Sequence, residues 1–271
     1  MPSAPSLVEV AFRACDLSAV AREALESVPV EAGIILPTFN KCLELDKVGQ
    51  SPLDHLWIAI YSKLGTVALV LSCTDGYMGA YPVFIVNTNP IDENDFAWCI
   101  HQSALTLQRH VPLERVYSVF GPIKVTQLFS RTWTQLTGVQ AEAHPYYDSK
   151  ISCLRRHENL QQPVTLSESS TFEVGPATRA DILSIAKSCH AFAIDSVSRR
   201  LPFDSIQALN IYSQPPFILT AEAALIEAKK LVSSRQIWTH KVNGRVVSIA
   251  AFTRNTRQIA TITKVINYIQ Y

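Results

Sequence analysis

The segment Gln236-Ile-Trp-Thr-His-Lys-Val-Asn-Gly-Arg-Val-Val-Ser-Ile-Ala-Ala-Phe-Thr253 decides the fold. Two β-rich runs, 236–241 and 245–253, flank Asn243-Gly244, a dipeptide that accepts the positive φ angles of a tight hairpin turn. A third run, Gln258 to about Val265, comes after a turn around Asn255. The pattern predicts an antiparallel meander. Upstream lie a strand, Phe172–Val174, and two helices. The first helix opens on Thr178-Arg-Ala-Asp181, a capping-box spacing, and places Ile182, Ile185, Ala186, Cys189, Phe192 and Ala193 on one face. The second spans about Ala221 to Ser233, with Ala224, Leu225, Ala228, Leu231 and Val232 inward. The predicted order is strand, helix, helix, then three strands, which excludes the strict strand–helix alternation of a dinucleotide-binding unit.

Earlier in the chain a helix is predicted after Asp16, ending at Pro29. Leu56–Tyr61, Thr66–Leu71 and Tyr81–Val86 are apolar strand runs, and Leu113–Phe120 is a further strand candidate. Helices are predicted from Asp92, with Phe96, Cys99, Ile100, Ser103, Ala104 and Leu107 on one stripe, and from Val125 to Leu136 with Gly138 as C-cap. The stretch 155–171 is polar and without periodicity. The division expected is therefore an N-terminal α/β domain over 1–154, a linker over 155–171 and a second domain over 172–271, with an α+β fold and mixed sheet.

Bulk composition narrows the class. The 271 residues are 48% hydrophobic and 17% charged, with 24 Lys and Arg against 23 Asp and Glu, an ordinary globular balance. Arg155-Arg156-His157, Arg199-Arg200 and Lys229-Lys230 are isolated pairs rather than the basic stripe of a nucleic-acid binder, so no nucleic-acid partner is expected. Apolar runs are too short to span a bilayer and no secretory leader is visible at the N-terminus, so the expectation is a cytoplasmic protein with no membrane partner. Six cysteines stand at 15, 42, 73, 99, 153 and 189 without a CxxC pair, so no metal is expected and the thiols read as buried small hydrophobes.

The segments Pro176–Asp181, Pro216–Glu222, Ile237–Ile249 and Ala260–Val265 together resemble the N-terminal half of a GNAT-superfamily acyl-CoA N-acyltransferase, with fungal members the nearest in character. The resemblance implies a GNAT-like fold over 172–271. It implies acetyl-CoA or another acyl-CoA as co-substrate and acetyl transfer to an unidentified small-molecule or protein amine. In that family acyl-CoA wedges between the splayed fourth and fifth strands. Backbone groups near the end of the fourth strand hold the pantetheine arm, which maps onto Ile262, Thr263, Lys264 and Val265. An arginine- and glycine-bearing loop then holds the pyrophosphate at a helix N-terminus. After Val265 this sequence reads Ile-Asn-Tyr-Ile-Gln-Tyr271 instead, so the resemblance implies a C-terminal domain that stops before that loop. The last strand is expected to expose Ile259, Ile262, Val265 and Ile266, an invitation to self-association. The first half is read as a degenerate copy of the same architecture.

Two functions are implied: an acyl-CoA-dependent N-acyltransferase, or a non-catalytic GNAT-like binding or regulatory protein that has lost cofactor binding. The resemblance carries over no catalytic base or acid. Glu222 reads as a first-turn acid or a group near the substrate entrance. His240 reads as a hairpin residue, His190 as a capping or packing residue, and Lys264 as a phosphate partner or a solvated strand end. Cys73-Thr-Asp-Gly76 would make a nucleophile site only if His55, His101 or His110 came close to the thiol. Trp57, Phe84, Trp98 and Trp133 lie on apolar faces and read as core.

Overall fold

The structure, a computed structural model, describes residues 8–51, 55–76, 79–142, 145, 153, 171–198 and 219–267. It is an α+β fold whose chain clusters into two compact units, one of Met1–Ala141 with Asn255–Ile259 and one of Glu142–Arg254 with Ala260–Tyr271. Residues 155–170 of the linker expected over 155–171, the pairs Arg155-Arg156 and Arg199-Arg200, and Pro216–Ile218 lie outside the described residues.

The first unit begins with β1 (Val8–Ala11), α1 (Ala19–Ser27) and α2 (Leu36–Lys47). Strands β2 (Leu56–Tyr61) and β3 (Val67–Cys73) come next, then a small two-stranded ribbon of β4 (Asp75–Gly76) and β5 (Gly79–Ala80), and β6 (Val83–Asn87). Helix α3 (Glu93–His110), β7 (Val119–Phe120) and α4 (Ile123–Thr137) complete it. The main sheet has the order β1-β2-β3-β6-β7; every neighbouring pair is antiparallel except β6–β7, which is parallel. Period-2 alternation sorts the strands onto two faces. Leu56, Ile58, Ile60, Leu71 and Ile85 pack with Phe96, Ile100 and Leu107 of α3 and Phe129 and Trp133 of α4. Trp57, Ala59, Val70, Phe84 and Val86 pack instead with Ala21 and Leu25 of α1 and Phe39 and Cys42 of α2. The sheet is therefore covered by helices on both sides, which is why β2 and β3 read as unbroken apolar runs.

Caps explain the helix limits. Asp92 accepts a hydrogen bond from the Asp95 N–H at 2.9 Å to start α3, and Gly138 ends α4 at φ 76° in the left-handed region. The strand expected over 113–120 is much shorter than predicted. Leu113–Arg115 is a 3-10 turn after Pro112, and only Val119–Phe120 is strand. Arg115 accounts for the turn: its guanidinium donates to the carbonyls of Tyr81 (2.9 Å) and Thr74 (2.7 Å). Strand β1 and helix α2 are elements the apolar pattern did not predict.

The second unit contains β8 (Phe172–Pro176), α5 (Ile182–Ser198), α6 (Ala221–Ser233), β9 (Ile237–Val242), β10 (Arg245–Phe252) and β11 (Ile262–Asn267). Its sheet is antiparallel throughout, in the order β11-β10-β9-β8. Asn243 and Gly244 have φ of 49° and 74°, the hairpin conformation expected of that pair. Strand β11 begins later than predicted. Residues 256–259 form a turn instead, in which the Thr256 hydroxyl accepts from the amides of Gln258 (3.3 Å) and Ile259 (3.1 Å). The core joins Ile185 and Cys189 of α5, Ala224, Ala228 and Leu231 of α6, and Ile237, Ile249 and Ala251 of the sheet.

The capping box is present at the expected residues. Asp181 accepts from the Thr178 amide and hydroxyl, both at 2.8 Å, and from Lys241 Nζ at 2.8 Å. Burial alone would raise the Asp181 pKa, but the bonds from Lys241 and Thr178 outweigh it and hold the carboxyl below its ordinary value. A group depressed on folding contributes stability that is present above its unfolded pKa and lost as pH falls through the folded one. The second unit is therefore expected to lose stability on acidification below about pH 4, and Asp181→Asn to flatten that loss. Urea midpoints across the acid range check this; an unchanged acid slope in the variant would remove Asp181 from the account.

Candidate functional site

Among the described residues the two units share an order of strand, two helices and three sheet strands, with the β4–β5 ribbon interposed before the last of these in the first unit, and in each sheet the four strands are antiparallel and adjacent in the sequence 1-2-3-4. In the first unit these are β1, β2, β3 and β6; in the second they are β8, β9, β10 and β11. The first unit then adds a crossover helix, α3, and a parallel fifth strand, β7. The ladder between β6 and β7 is only two residues long, Val83↔Val119 and Phe84↔Phe120. It ends where Gly121 crosses the Ile85 carbonyl so closely that a Cβ at 121 would sit 2.5 Å from that oxygen. Beyond this point Pro122 turns the chain into α4, and no further β6–β7 pair forms.

The loop after β6 is unsuited to a phosphate. It reads Thr88-Asn89-Pro90-Ile91, and its two polar side chains turn back on the sheet, both donating to the Val67 carbonyl at 2.7 Å. The first turn of α3 carries Asp92, Glu93 and Asp95. Asp92 occupies the N-cap, and Asp95 is ion-paired with Lys63 at 2.5 Å. Carboxylates fill the positive end of the helix dipole, where a pyrophosphate would need free N–H groups.

In the second unit the four residues mapped to the pantetheine arm fall on β11, the edge strand of its sheet. Ile262 and Val265 are 65% and 55% exposed. Thr263 donates to the Ala251 carbonyl at 3.2 Å. Lys264 is not directed at solvent or at a phosphate position. Its ammonium lies 2.5–2.6 Å from both carboxylate oxygens of Glu227 on α6 and 6.0 Å from the centre of the Phe192 ring on α5. Cys189 adjoins this pair, and burial first, then Glu227, pushes its thiol up to about 12.

The remaining candidates separate. Glu222 is exposed in the first turn of α6. His190 donates through Nδ1 to the Leu219 carbonyl at 2.6 Å, tying α5 to the segment before α6. His240 stacks on Phe172 with ring centres 5.9 Å apart. Cys73 is 2% exposed, and none of His55, His101 or His110 is hydrogen-bonded to it among the described residues. His55 instead meets Cys42, with Sγ 3.2 Å from Nδ1. Burial raises the Cys42 thiol to about 11 and lowers the imidazole, so the pair rests as neutral thiol and neutral ring, not as thiolate and imidazolium. His110 closes on its own helix, donating to the Thr106 carbonyl at 2.7 Å. Trp57, Phe84 and Trp133 are core, and Trp98 is half-buried against it.

Neither the Cys42–His55 pair nor the Lys264–Glu227 pair was visible in the sequence; the partners are 13 and 37 residues apart and no spacing rule joins them. Two open clefts lie among the described residues. One of about 310 Å³ lies between α3 and α4, lined by Glu93, Phe96, Lys124 and Arg131. Another of about 190 Å³ lies beside β8 and β9 near Thr178, Thr239 and Lys241. Among the described residues no cluster of His, Cys, Asp or Glu could hold a metal, and no helix is long and apolar enough to cross a membrane. No protein-family model matches the chain, and no curated protein or solved structure matches it.

Proposed function

We propose that this chain carries the GNAT plan twice, and that it is an acyl-CoA-dependent N-acyltransferase whose first unit is a non-catalytic copy. The observation that supports this reading is the shared element and sheet order of the two units, extended in the first by a crossover helix and a briefly paired parallel fifth strand. In the family reading, acyl-CoA belongs where the fourth strand parts from its neighbour. The first unit has that parting, but it surrounds the next helix N-terminus with acid and closes the loop onto Val67. Cofactor binding is therefore assigned to the second unit, where the β11 backbone at Ile262–Val265 would hold the pantetheine arm by strand-like hydrogen bonds.

The reaction is direct attack of an amine nitrogen on the acetyl-CoA thioester carbonyl. The C–N bond forms, the C–S bond breaks, the amine proton passes to a base, and CoA leaves as thiolate to be protonated. A second reading, a binding protein on the same scaffold without catalysis, is favoured by one observation: the cation carried by the assigned strand, Lys264, is already neutralised by Glu227.

Calorimetric titration of acetyl-CoA into the full chain separates the two. Micromolar one-to-one binding is expected, unchanged by Asp92→Asn because the first unit takes no part. Absence of heat and of thermal stabilisation at millimolar acetyl-CoA would remove the transferase reading and leave the non-catalytic one.

A further inference from the structure

Helix α2 is held to the first sheet by two kinds of contact. Leu36, Phe39 and Cys42 bury one face of the helix, and the Phe39 ring meets Trp57 edge-on. Such packing is indifferent to pH. The second contact is polar. Among the described residues one hydrogen bond joins α2 to the sheet's strands or their ends, that between Cys42 Sγ and His55 Nδ1 at 3.2 Å. The other side-chain bonds of α2 run elsewhere: Asp46 accepts from the Cys15 amide and from Ser51, and Glu44 pairs with Lys47 of the same helix. His55 immediately precedes β2 and is 4% exposed.

We propose that His55 is an acid-sensitive latch, whose protonation breaks the bond to Cys42 and lets α2 open from the sheet. A neutral imidazole has one acceptor nitrogen. Here Nδ1 takes the thiol proton, and the ring's own N–H stands on Nε2, where the Asp75 backbone accepts it. Protonation places a second N–H on Nδ1, so that two donors face each other across 3.2 Å, and sulfur is a weak acceptor. The charge would lie in the apolar layer beside Trp57, whose ring centre is 6.4 Å away. The charged and titratable groups around the ring are Cys42 and Asp46 of α2, Asp75 of the β4–β5 ribbon and Arg115 of the 3-10 turn. Burial has the largest influence and lowers the ring's pKa; Asp75 and Asp46 pull it up and Arg115 pushes it down, without reversing the sign.

A group depressed in the closed state contributes closure that is complete above its free pKa and lost as pH falls through the closed one. Opening of α2 should therefore rise by up to about tenfold per pH unit below about pH 6.5, then level off beneath the buried ring's pKa. Burial works to raise the Asp46 carboxyl, but bonds from Ser51 and Cys15 hold it below its ordinary value, so those bonds survive this window. The inference concerns the first unit and does not rest on acyl-CoA binding.

Hydrogen exchange of the full chain between pH 7.5 and 4.5, corrected for intrinsic rates and read on peptic fragments, tests it. Fragments over 36–47 should lose protection as pH falls, while those over β3 and α3 keep theirs. His55→Gln, which does not titrate, should flatten the profile of α2. Constant protection of 36–47 in the wild-type chain would overturn the latch, as would the same pH response in a folded His55→Gln. Should that variant not fold, carbon-13 NMR of the wild-type histidine rings supplies the second reading. A His55 midpoint below 6.5 that coincides with α2 opening is expected; a ring that titrates with α2 still protected would equally overturn it.

Discussion

Replacing Trp57 by alanine is expected to destabilise the first unit by about 3–5 kcal/mol, the cost of removing a large aromatic side chain from a close-packed site. Trp57 is the second residue of β2 and has no exposed surface, and its ring meets the edge of Phe39 on α2 at 5.1 Å between centres. The cavity would open between β2 and the helix layer that covers it, where neither can collapse without breaking ladder bonds on both sides of β2. The indole N–H has no hydrogen-bond partner among the described residues, so Trp57→Phe forfeits area but no hydrogen bond and should recover most of the loss. Guanidinium unfolding followed by circular dichroism measures both. A loss below about 1 kcal/mol for the alanine variant would mean that the layer repacks freely.

Breaking the Lys264–Glu227 pair from either side should destabilise the second unit by about 2–4 kcal/mol, a little under the usual range for buried pairs because both side chains keep some solvent contact. Their side chains are 19% and 13% exposed, and removal of one leaves the other charged against Cys189, Phe192 and the α5–α6 interface. The costs should not add. Lys264→Met combined with Glu227→Leu removes both charges, and the double variant should be more stable than either single one. Additive losses would show that the two side chains act independently. The same set of variants bears on function: if Lys264 serves only the fold, the double variant keeps whatever acetyl-CoA affinity the wild-type chain has.

Much of the architecture was legible because it is written in local periodicity. The apolar runs at 56–61, 66–71 and 81–86 announced strands, and the stripes at 96–107 and 182–193 announced helices with one buried side. Asn243-Gly244 and the Thr178–Asp181 box each specify a local geometry that few other residues satisfy. Elements with weaker local signals were missed or misplaced. Strand β1 has only four residues in which to alternate, and α2 begins next to Pro37 after a 3-10 turn, so its period is obscured at the start. The run at 113–120 has strand-like residues, but the carbonyls that Arg115 binds lie 34 and 41 positions earlier in the chain. They bend it into a turn.

The sequence by itself determined where apolar faces lie, where helices begin and where the second unit turns back on itself, because caps, turns and periodicity act within a few residues. Only the tertiary structure decided which strands neighbour one another in each unit and that the first adds a parallel strand that parts after two residues, since strand adjacency depends on pairings between segments far apart in the chain. The partners of the candidate groups were settled there too. Lys264 meets Glu227, His55 meets Cys42 and Lys241 meets Asp181 because each side chain, once buried by packing, takes the nearest group able to satisfy it.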